Sequence, residues 1–185
     1  MTVEGVRIHA VDSAAEIGRP DGRAIVLIHG AGLDHRDWTF GFLHRLDRSW
    51  RVLAFDRPGF GGSERPSGMA SALPATQARL LHAAARELGV DHAVIVGHSW
   101  GGAVAMGWGL EAPETVAGIV SLAGALTPWS LAVTMDNARR LQAAARQALG
   151  SGGLRAAAVS ALADSFDPDD IPAGYIDHVR TDLGG

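Results

Sequence analysis

Ala93-Val94-Ile95-Val96-Gly97-His98-Ser99-Trp100-Gly101-Gly102 decides how the chain is read. Its first four residues form an unbroken apolar run, as a strand buried on both faces requires. Trp100 to Glu111 reads as a helix, stopped by Pro113. Between strand and helix, Gly97 to Gly101 spells G-x-S-x-G, which sets Ser99 on a sharp turn. The glycines leave room for that turn. The N-terminus of the following helix turns its free N–H groups and positive dipole end toward the serine hydroxyl.

Working outward, the same alternation recurs on both sides. Val6 to Val11 reads as a strand and Gly18 to Gly22 as a turn. Ala24 to Ile28 is an apolar run that ends in His29-Gly30-Ala31-Gly32. His35 to Leu46 reads as helical, with Trp38, Phe42 and Leu46 on one face. Arg51 to Phe55 is a second buried strand, followed by the loop Asp56-Arg57-Pro58-Gly59-Phe60-Gly61-Gly62-Ser63. Leu73 to Leu88 is an amphipathic helix ended by Gly89, Ala93 to Val96 a third buried strand, and Val116 to Leu122 a fourth. Strands alternating with helices predict an α/β fold with a parallel sheet and right-handed crossovers.

After Pro128 the pattern changes. Leu131 to Leu149 and Leu154 to Phe166 are Ala-rich helical stretches separated by Gly150-Ser151-Gly152-Gly153, and no further buried strand follows. Residues 1–127 are therefore expected to form the core and residues 128–185 a partial helical cap.

With 185 residues, 47% hydrophobic and 19% charged, the chain has the size and balance of one globular domain. The net charge of −4, with no basic patch, argues against nucleic acid as a partner. All its basic residues other than histidine are arginine. The lack of cysteine excludes disulfides, thiolate metal sites and a cysteine nucleophile. Met1 to Val11 carries Glu4, Arg7 and His9, so no signal peptide is expected and the location is expected to be cytoplasmic. Thr115 to Met135 is uncharged and long enough to cross a bilayer. Pro128 and the polar residues Ser121, Thr127 and Ser130 argue instead for a strand, a loop and a helix start.

These motifs, in this order, resemble the α/β-hydrolase family, and in particular its single-domain serine hydrolases with a helical cap. The resemblance covers Val6 to Pro128. It rests on His29-Gly30-Ala31-Gly32, the loop from Asp56 to Ser63, and Gly97-His98-Ser99-Trp100-Gly101-Gly102. It implies attack by Ser99 on an ester, amide or related carbonyl through an acyl-enzyme, without a cofactor. A histidine would act as base and an acid would orient it. The backbone N–H groups of Ala31 and Trp100 are the expected oxyanion donors. His29, Gly30, His98, Phe60 and Trp129 are the expected walls of the substrate pocket, which takes a small acyl substrate.

The family orders its triad as serine, acid, histidine. The only histidine after Ser99 is His178, beside Asp177 in a short helical pattern, and neighbouring helical residues point apart. Triad acid and base are accordingly expected beyond residue 185. The alternative is an inactive truncated scaffold, or a subunit completed by another chain or a second copy through an exposed edge at the fourth strand. His98 and His29 are expected to pack or brace rather than transfer protons, and Asp56 to order its own turn. His35 and Asp37 form an H-x-D pair without further ligands, so no metal is expected. Gly107-Trp108-Gly109-Leu110-Glu111-Ala112 fits a dinucleotide string, but inside a helix, where that reading fails.

Overall fold

A computed structural model describes residues 1–13, 23–46 and 49–126, all within one unit, Met1–Leu126. The expected turn at Gly18 to Gly22, the expected cap, Trp129, Asp177 and His178 lie outside the described residues.

The strands are β1 (Thr2–Val3), β2 (Val6–Arg7), β3 (Ala10–Asp12), β4 (Ala24–Ile28), β5 (Arg51–Phe55), β6 (Ala93–His98) and β7 (Val116–Leu122). The helices are α1 (Arg36–Thr39), α2 (Pro74–Glu87) and α3 (Trp100–Glu111). β3 to β7 form a five-stranded sheet in the order β3-β5-β4-β6-β7, parallel except for β3, which runs antiparallel to β5.

The single strand expected over Val6 to Val11 is instead two. β2 folds back on β1 through Glu4 and Gly5, whose φ values of 50° and 78° are those of a two-residue hairpin turn. β3 then joins the main sheet. The helix expected over His35 to Leu46 is also shorter. α1 gives way to a 3-10 turn at Leu43–Arg45. Gly41 falls between them, where a helix interior is weakened by roughly 1 kcal/mol. Trp38 and Phe42 still meet edge to face, with ring centroids 5.3 Å apart.

The unbroken apolar runs are explained by packing on both sheet faces. In β4, Val26 and Ile28 join Leu53, Phe55 and Ile95 in a core under α2 and α3. Ile25 and Leu27 point the other way and pack with Val52, Ala54, Val96 and Trp38. Fully burying each valine, leucine, isoleucine or phenylalanine among them contributes about 1.5–3 kcal/mol.

β7 differs from the expected buried strand. It alternates between half-buried and exposed, and Val120 and Leu122 are exposed. Among the described residues it pairs only with β6. No helix among the described residues is long and apolar enough to cross a membrane.

The strand order places the site. From β4 the chain moves to β5 on one side, then crosses to β6 on the other. The carboxyl ends of β4 and β6 thus flank a topological switch point, where open α/β sheets form their ligand crevices. Ile28 is paired with Gly97, so the loop beginning at His29 and the turn at Ser99 emerge side by side.

Candidate active site

Ser99 sits between β6 and α3 with φ 49° and ψ −114°. A positive φ is costly for any residue with a Cβ, so the surroundings must hold it. Ser99 N–H donates to the Leu122 carbonyl at 2.9 Å, and the Ser99 carbonyl accepts from Gly102 and Ala125 at 3.0 and 2.9 Å. A Cβ on Gly97 would collide with the backbone of Gly101, and one on Gly101 with the carbonyl of Ile28. Both glycines are therefore required by close backbone approach. Among the described residues the Ser99 hydroxyl has no hydrogen-bond partner, and neither do the N–H groups of Ala31 and Trp100.

The Ala31 N–H is oriented through its own peptide. The Gly30 carbonyl accepts from His29 Nδ1 at 2.8 Å and from Arg57 Nη2 at 2.7 Å. No peptide among the described residues is cis, so the Ala31 N–H points to the opposite side of that planar unit. Gly30 itself packs against His98 and the Cβ of Ser99: a Cβ added to it would lie 3.1 Å from His98 Nδ1 and 3.3 Å from Ser99 Cβ.

His29 is fully buried and is not among the residues that line the pocket beside the elbow. Its Nε2 accepts from the Arg57 N–H at 2.9 Å, which leaves the proton on Nδ1 to donate to Gly30. Burial, then the neighbouring Arg57 charge, lowers its pKa to about 4, so the ring is neutral near pH 7. The sequence expectation that it braces the loop agrees with these bonds.

His98 is half-exposed and turned toward Asp37, with Nδ1 2.9 Å from Oδ2. That hydrogen bond raises its pKa. His35 and Asp37 therefore do not act together: Asp37 faces His98, whereas His35 faces Asp56.

Asp56 is fully buried and accepts four hydrogen bonds, from His35 N–H at 2.7 Å, His35 Nδ1 at 2.9 Å, His9 Nδ1 at 2.7 Å and Gly62 N–H at 2.8 Å. It orders its loop and ties it to β3 and to the start of α1. His9, 47 residues away, had no sequence signal. Among the described residues, His9, His35 and Asp56 are the one trio whose donor atoms lie within metal-binding reach, 4.8 Å. Their ring nitrogens are turned onto the carboxylate, as in a hydrogen-bonded clasp.

Burial works to raise the Asp56 pKa, but the bonds from His35 and Gly62 prevail and hold it well below the usual carboxylate range. The bond to Asp56 raises the pKa of His35. A raised histidine pKa stabilises the fold fully below the unfolded value of 6.5, and that contribution is lost as pH rises through the folded value. Asp56 acts in the opposite direction: its contribution is present above 3.8 and lost as pH falls through its lowered value. Urea midpoints are thus expected to fall as pH rises above 6.5. His35→Asn should flatten that fall, with the share from His98 and Asp37 persisting. An unchanged slope in His35→Asn would contradict the clasp.

A pocket of about 180 Å³ opens beside the elbow, lined by Ala31, Trp100, Phe60, Arg57, Arg65 and Gln77, among others. Of the expected walls, Phe60 lines it; Gly30 and His98 do not. Arg57 and Gln77 were not foreseen. Arg57 is buried, its guanidinium 4.4 Å from the Phe60 ring centroid.

Residues 23–165 match the family model described as alpha/beta hydrolase fold. The chain belongs to this family. A Bacillus subtilis AB hydrolase superfamily protein is 29% identical over 122 residues, covering 66% of this chain and 41% of that protein. Haloalkane dehalogenase 2 of Mycobacterium tuberculosis is 34% identical over 119 residues, covering 62% of this chain and 37% of its own length. The chain thus spans less than half of either curated relative. An epoxide hydrolase structure from Vigna radiata superposes with a TM-score of 0.72 at 20% identity, over 98% of this chain and 65% of that one. This last likeness concerns the fold alone.

Proposed function

We propose that the protein is a hydrolase acting on an ester or related carbonyl through an acyl-enzyme on Ser99. The observation that carries the reading is the strained Ser99 turn, whose hydroxyl, unpartnered among the described residues, adjoins two N–H groups likewise unpartnered among them, at a switch point. In the reaction, Ser99 Oγ bonds to the carbonyl carbon and its proton passes to a base. The carbonyl oxygen gains charge and is met by the N–H groups of Ala31 and Trp100, each worth about 2.7–4 kcal/mol in such a role. The alcohol leaves with the proton, and water then cleaves the acyl–serine bond. The base and its acid belong to this reading as residues outside those described, together with a cap over residues 128–185.

Relatives named for epoxide and haloalkane chemistry raise a second possibility, which the nucleophile argues against. A serine that attacks a saturated carbon forms an ether, and water does not cleave an ether under these conditions. An acyl–serine ester is readily cleaved. A serine therefore suits carbonyl substrates.

Treatment of the full-length protein with a fluorophosphonate is expected to add one phosphonyl group, located on Ser99 by peptide mass spectrometry. A protein that hydrolyses esters yet carries the label elsewhere, or none, would overturn the assignment.

A further inference from the structure

Among the described residues, the pocket beside the elbow is lined by two arginines and no acid. Arg57 is 1% exposed yet forms part of its wall. Its Nε donates to the His29 carbonyl at 2.9 Å, its Nη1 to Gln77 Oε1 at 2.9 Å and its Nη2 to the Gly30 carbonyl at 2.7 Å. All three acceptors are neutral. They occupy three of the five N–H donors of a guanidinium and offset none of its charge.

Arg65, on the exposed rim, makes a single long bond of 3.4 Å to the Gly59 carbonyl. Among the described residues neither arginine meets a carboxylate. A buried charge without a counter-charge is costly and is ordinarily kept only where it is paired or used. Burial lowers the Arg57 pKa to about 10, which still leaves it charged near pH 7.

We propose that this pocket binds a carboxylate carried by the substrate, so that the esters or related carbonyls presented to Ser99 are anionic. The inference rests on the acyl-enzyme reading above. A planar carboxylate matches the fork of a guanidinium. Phe60, stacked on Arg57, offers an apolar wall for the stem that joins the carboxylate to the scissile carbonyl. Ala31 and Trp100 line the same pocket, so its occupant adjoins the proposed oxyanion donors. Arg57 thus has two tasks, orienting the Gly30–Ala31 peptide and supplying positive charge to the pocket.

The test compares chromogenic esters that carry a free carboxylate with the same esters capped as methyl esters. One series places the carboxylate on the acyl part and the other on the leaving group. The full-length protein is expected to prefer the free acid in one series by about tenfold or more in kcat/KM, mainly through KM. Arg65→Glu is the main variant, because Arg57 also holds the loop. It should bring that ratio to one or below and favour an ammonium-bearing analogue.

Ratios within about twofold of one in both series, with Ser99→Ala removing all turnover, would overturn the subsite and leave the hydrolase reading standing. Turnover that survives Ser99→Ala would overturn both. If no ester is turned over, binding decides. Monomethyl glutarate should shift the NMR signals of the Gln77 side-chain amide where dimethyl glutarate does not, and the absence of any shift would overturn the proposal.

Discussion

Ser99→Ala is expected to lower turnover of a small chromogenic ester by the full-length protein on the order of a million-fold, the scale seen when a catalytic nucleophile is removed. A residue of roughly 10³–10⁴ over water can survive through an intact oxyanion hole. The substitution keeps the Cβ, so the turn remains as strained as before and the denaturation midpoint should barely move. Ser99→Gly separates the two effects. Glycine adopts φ 49° without penalty. Relief of about 1–3 kcal/mol of strain exceeds the roughly 0.4–1 kcal/mol lost to unfolded-chain entropy. Ser99→Gly should therefore be as inactive as Ser99→Ala but more stable, by roughly 1 kcal/mol. A Ser99→Gly variant no more stable than Ser99→Ala would mean the turn stores no strain.

The sheet was legible because two-sided burial leaves a coarse mark. Ala24 to Ile28, Arg51 to Phe55 and Ala93 to Val96 each read as strands from apolar runs alone, and all three are strands. The elbow was legible because its chemistry is compressed into neighbouring residues. What sequence reasoning missed depends on residues that meet only after folding. His9 finds Asp56 across β3 and β5, and Arg57 finds Gln77 from the first turns of α2. Neither pair has a spacing that marks it. The role of His29 was half legible. A histidine in a glycine-rich loop reads as wall or as brace, and the hydrogen bonds of both ring nitrogens to backbone partners agree with the brace. The misread N-terminal strand shows the same limit. Apolar alternation from Val6 to Val11 records that side chains alternate, but not that the chain changes sheets between Arg7 and Ala10.

Gly101→Ala is expected to be strongly destabilising. A Cβ there would be driven into the carbonyl of Ile28 and approach that of His29. Neither can retreat: β4 is bonded to β5 on one side and β6 on the other, and Ile28 is fully buried. Adding a methylene to a tight core ordinarily costs about 1–3 kcal/mol, with backbone collisions at or above the top of that range. A loss of about 3 kcal/mol is a large share of the roughly 5–15 kcal/mol that holds a typical domain. Two other glycines serve as controls. A Cβ on Gly107, within α3, meets Ala78 at 3.4 Å and Ala75 at 3.5 Å, which is ordinary contact. Alanine should therefore stabilise the helix there by up to about 1 kcal/mol. Gly118, in β7, has open space around it, so alanine should change little. Urea denaturation of the three variants gives the ranking directly. If Gly101→Ala were as stable as Gly118→Ala, α3 would have to stand farther from β4 than the structure places it, and the Trp100 N–H would no longer be held beside Ser99.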